Sequence, residues 1–82
     1  MINTTTVGTE LNGKQRAAVV LEVEKSMLQD KTSSYQMYSD ATWDAALEAM
    51  RSVTTVEGVK AVLCVPDFYC EAAVDELLQR NA

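Results

Sequence analysis

Histidine is absent from these 82 residues, and proline, phenylalanine and tryptophan occur once each. Glycine appears three times and cysteine twice. Each scarcity removes a class of chemistry. Without an imidazole the chain has no Ser-His-Asp or Cys-His catalytic arrangement. The glycines Gly8, Gly13 and Gly58 are scattered, so neither G-x-x-x-x-G-K-[ST] nor G-x-G-x-x-G is present to cradle a phosphate. Cys64 and Cys70 do not form a C-x-x-C pair, and a zinc site needs four ligands at recognisable spacing. The expectation is a chain with no catalytic residues, no metal and no cofactor.

Long apolar runs are also missing. The longest, Ala17–Leu21 and Ala61–Val65, fall far short of the roughly 20 residues needed to cross a bilayer. The opening "MINTTTVGTELNG" lacks the basic and apolar regions of a secretory signal, so the chain reads as cytoplasmic. In that reducing setting two cysteines are expected as free thiols.

What is present is acid. The net charge is −5, and its distribution is uneven. Residues 1–31 carry Glu10, Glu22, Glu24 and Asp30 against Lys14, Arg16, Lys25 and Lys31, which balance. All the excess lies beyond them, where only Arg51, Lys60 and Arg80 oppose the acids. Such a surface repels phosphate backbones and attracts basic proteins. A basic protein partner is expected and nucleic acid is disfavoured.

Along the chain, residues 1–11 are polar and threonine-rich and read as a mobile arm or an edge strand. Residues 12–82 read as one small domain. Asn12 with Gln15 forms a capping-box pattern opening a helix that runs to Lys31, with Ala17, Val20, Leu21, Met27 and Leu28 on its inner face. The same stretch has a strand reading, because "AAVVLEVE" alternates and follows Asn12-Gly13. Turn-forming residues in "DKTSSYQMYSD" mark a linker. From Ser39 or Asp40 a second helix places Trp43, Ala46, Leu47, Met50 and Val53 inward. Thr54 to Glu57 reads as another capping box, opening a short helix that Pro66 ends. Asp67 is the expected cap of a last helix with Cys70, Ala73, Val74, Leu77 and Leu78 on one face. The fold class is therefore all-α, three or four helices. The alternative is α+β, with strands near 17–24 and 59–65.

On these placements Cys70 and Cys64 read as buried thiols behaving as small hydrophobes. "PDFY" allows two readings: a turn with Phe68 and Tyr69 packed around it, or an exposed knob with Phe68 opposite Leu77. An aromatic that cannot join its own helix's core is a candidate interface anchor. Tyr35 and Tyr38 in the linker are similar.

Residues 55–79 resemble a helix-turn-helix, but the second helix carries Asp67, Glu71, Asp75 and Glu76 against Arg80 alone, which opposes phosphate contact. The spacing of "VKAVLCVPDF" and "VDELL" is also similar to the helical opening of some phage head–tail connector proteins. That match is short, has no diagnostic residue and is not carried into the reading.

The functional expectation is a non-enzymatic protein-binding module that self-associates, because a core this small benefits from a partner. Its contact residues are Tyr35, Tyr38, Phe68 and Tyr69, rimmed by Asp44, Glu48, Glu71, Asp75 and Glu76. The alternative is a phage-type acidic inhibitor that covers the basic nucleic-acid groove of a host enzyme or defence protein. DNA binding through the last two helices carries the lowest weight.

Overall fold

A computed structural model describes residues 9–65 and 68–82. Four helices follow in order: α1 (Gly13–Thr32), α2 (Asp40–Ser52), α3 (Val56–Leu63) and α4 (Glu71–Arg80). The fold is a small all-helical domain, with no extended strand among the described residues. Residues 17–24 lie within α1, and residues 59–63 within α3, so helix prevails over the strand alternative at both places.

Local chemistry explains the helix starts. The Asn12 side chain accepts from the Gln15 amide at 2.7 Å, and the Gln15 side chain accepts from the Asn12 amide at 3.0 Å. This reciprocal cap satisfies two otherwise orphaned donors and favours helix over hairpin after Asn12. Ser39 caps α2 by accepting from the Thr42 amide at 3.2 Å. The cap of α3 differs from the expected box. Thr55, not Thr54, takes the position and accepts from Gly58, a residue with no side chain to reach back.

The start of α4 is a second correction. The helix begins at Glu71, its N-cap is Cys70, and that cap makes no side-chain hydrogen bond. Asp67, the expected cap, lies outside the described residues. The helix starts late because the Tyr69 amide donates to the Leu63 carbonyl at 2.8 Å, which folds residues 68–69 into the corner after α3.

The core gathers Val19 and Val23 of α1, Trp43, Ala46, Leu47 and Met50 of α2, Val59 and Leu63 of α3, and Val74 and Leu78 of α4. No polar or charged residue among those described is fully buried. The α2 face matches its spacing in the sequence. The α1 face does not, since Leu21 and Leu28 point outward while Val19 and Val23 turn in.

The arm expected to be mobile ends in a pairing. The Val56 amide donates to the Thr9 carbonyl and the Leu11 amide to the Thr54 carbonyl, both at 2.9 Å. Glu10 thereby bridges Thr55 in antiparallel fashion, laying residues 9–11 across the joint between α2 and α3. Residues 1–8 lie outside the described residues.

Candidate interaction surface

The expected contact residues fall in three places, and the structure does not bring them into one surface. The loop between α1 and α2 holds Tyr35 and Tyr38. It is shaped by Asp30, the last inward residue of α1. One Asp30 oxygen accepts from the Met37 amide at 2.7 Å, and the other accepts from the Tyr38 amide at 3.0 Å and the Trp43 indole N–H at 2.8 Å. Three donors on one carboxylate stabilise its ionised form. Its pKa is held below the ordinary value, first by the Met37 amide and further by Trp43 and Tyr38. This clasp sends neighbouring tyrosines in different directions.

Tyr38 turns inward. Its ring meets the edge of Trp43 with centroids 5.5 Å apart and lies 4.5 Å from Phe68. Phe68 and Trp43 are 5.2 Å apart, completing an aromatic triangle at distances where rings attract. Phe68 is therefore half-buried and precedes α4, which corrects the exposed-knob reading; the packed-turn geometry is the one observed. Tyr69 is half-buried as well, with its hydroxyl donating to the side chain of Ser26 on α1. Burial raises its phenol pKa. Of the four aromatics expected to make contacts, Tyr35 alone stands in solvent.

The acids divide likewise. Asp44 and Glu48 are exposed on α2, and Glu76 is exposed on α4; none forms an ion pair among the described residues. Glu71 and Asp75 share one cation, with Lys60 Nζ at 3.1 Å and 2.8 Å respectively. Those two contacts raise the Lys60 pKa, Asp75 contributing most. Arg51 of α2 approaches Glu24 of α1 loosely, at 3.9 Å.

Both thiols are free. Cys64 is half-buried, and desolvation raises its pKa, with Glu71 adding to the effect. Cys70 is exposed, which corrects its expected place on the apolar face of α4. The later helix start moves it out of that face and onto the cap. Among the described residues no group of three or more cysteines and carboxylates could hold a metal ion. None of the described helices is long and apolar enough to cross a membrane.

Sequence reasoning missed a different set of exposed side chains. Leu21 (57%), Leu28 (60%), Met37 (71%) and Val65 (80%) stand out into solvent as far as Tyr35 (80%) or nearly so. Leu21 and Leu28 were expected inside; their heptad spacing was the available signal that α1 has a second apolar stripe. Compared with protein-family models, curated proteins and solved structures, the chain matches none.

Proposed function

We propose that this protein is a non-enzymatic interaction module that associates with itself and presents Tyr35 and Met37, on an acidic molecule, to a basic protein partner. One observation carries the reading: large apolar side chains stand more than half exposed on a helix and on a loop clasped by Asp30. Scattered exposed hydrophobes are ordinary, but a preset loop holding an aromatic and a thioether outward has the composition of an interface centre. Ordering beforehand lowers the entropic cost of binding. Tyr38, Phe68 and Tyr69 support this surface from beneath. The acids left to attract a basic partner are Asp44, Glu48 and Glu76, elsewhere on the exposed surface, because Lys60 already engages Glu71 and Asp75.

That ion pair also weighs against the acidic-inhibitor reading. A groove-covering mimic uses a dense field of unpaired carboxylates, and here the field is thinned at α4. Sedimentation equilibrium from micromolar to millimolar protein tests the self-association, and a single monomeric species throughout overturns it. For the partner surface, Tyr35→Ala is expected to weaken capture of a basic protein ligand, read by calorimetry at two salt concentrations. Affinity that ignores Tyr35 and collapses with salt favours the inhibitor reading.

A further inference from the structure

We infer that the self-association proposed above, on which this inference rests, is a parallel pairing of α1 helices from two copies of the chain. Leu21 and Leu28 are seven residues apart on the longest helix and form a ridge facing away from the core. Ala17, exposed one turn before Leu21, extends the ridge toward the helix start. A groove lies on each flank of Leu21. Arg51 of α2 lies beside Val20 and Glu24, and Leu77 and Arg80 of α4 lie beside Ala18 and Lys25. Leu21 thus stands between two open grooves.

Charge decides what covers it. Glu24 and Lys25 are consecutive, so they project about 100° apart around the axis, one on each side of the leucine ridge. In a parallel two-fold pair opposite flanks meet at equal height. Glu24 of each copy then faces Lys25 of the other, and Leu21 and Leu28 pack on their own counterparts. In an antiparallel pair like flanks meet. The antiparallel register that covers both leucines centres between residues 24 and 25, which sets Glu24 against Glu24 and Lys25 against Lys25. The Glu24 and Lys25 pair is thus complementary to its own copy in one orientation and repulsive in the other, the usual way paired helices select orientation. Lys25 forms no ion pair among the described residues, and Glu24 has only the 3.9 Å approach of Arg51. Lys14, at the ridge's far end, meets its own copy there, and its long stem can carry the charge outward to water.

The test uses the full chain and sedimentation equilibrium, with circular dichroism melts confirming that every variant folds. Glu24→Lys and Lys25→Glu singly are each expected to weaken the dimer roughly tenfold or more, since two symmetric surface contacts turn from attraction to repulsion. The double exchange E24K/K25E is expected to return the dissociation constant to near its original value. Lys25→Glu leaves the Arg51 contact untouched, so it separates the seam from any loss of that pair. Leu28→Ser is expected to abolish the dimer without lowering the melting temperature of the monomer. A dimer that tolerates both single exchanges overturns the parallel seam while leaving self-association standing. A chain monomeric at every concentration overturns both.

Discussion

Asp30 accepts three hydrogen bonds and with them closes α1, orders the following loop and anchors Trp43. Its lowered pKa gives the sign of the pH dependence. A carboxylate more acidic in the folded than in the unfolded chain contributes stability above the unfolded value, and that contribution is lost as pH falls through the folded one. Thermal melts followed by Trp43 fluorescence should therefore show stability falling as pH drops below about 4, the ordinary aspartate range. Asp30→Asn should lower the melting temperature at pH 7 and flatten that acid limb; an unchanged acid limb in the variant would place the sensitivity elsewhere. The thiols make a second residue-scale case. Exposed Cys70 should react with a disulfide reagent well before Cys64, whose half-buried position and raised pKa limit the thiolate. Mass mapping after brief labelling reads the order directly. Asp30 was not legible as a clasp from sequence, because two of its partners lie in a loop whose path nothing local dictates and the third lies beyond it.

At the scale of elements, caps and faces were legible to different degrees. Asn12–Gln15 and Ser39 were readable because capping is a local exchange within four residues. The inward face of α1 was not. That helix carries two apolar stripes, one through Val19, Val23 and Met27 and one through Ala17, Leu21 and Leu28, and periodicity alone does not choose between them. The choice is made by polar residues: Ser26 and Asp30 share the first stripe and find Tyr69 and Trp43 only in the folded chain. The cap of α4 was misplaced for a related reason, since the Tyr69–Leu63 hydrogen bond spends on a corner the residues that looked like a first turn. Gly58 gives an element-scale prediction. Alanine in a helix interior is favoured over glycine by about 1 kcal/mol, but here an added Cβ would sit 3.1 Å from a Val53 methyl and 3.2 Å from the capping Thr55 hydroxyl. Gly58→Ala should thus fall well short of that gain, ending within about 0.5 kcal/mol of the parent. Urea unfolding would show it.

For the whole molecule, a core drawn from all four helices implies that no helix holds its conformation alone. Met50 is nearly inaccessible at the centre of that core, so Met50→Ala should cost about 2–5 kcal/mol and reduce the cooperativity of unfolding. Tyr69→Phe should cost only about 1 kcal/mol, the worth of the hydroxyl's bond to α1. Chemical denaturation of the two variants side by side ranks them.

Residues 9–11 are stitched to the joint before α3, and the chain between those partners comprises all of α1 and α2. Closing so long a circuit has no local reward, so the stitch must fasten after both helices have docked. It acts as a latch. In native-state hydrogen exchange the amides of Leu11 and Val56 should open together, and their shared protection would report whether the first half of the molecule is assembled.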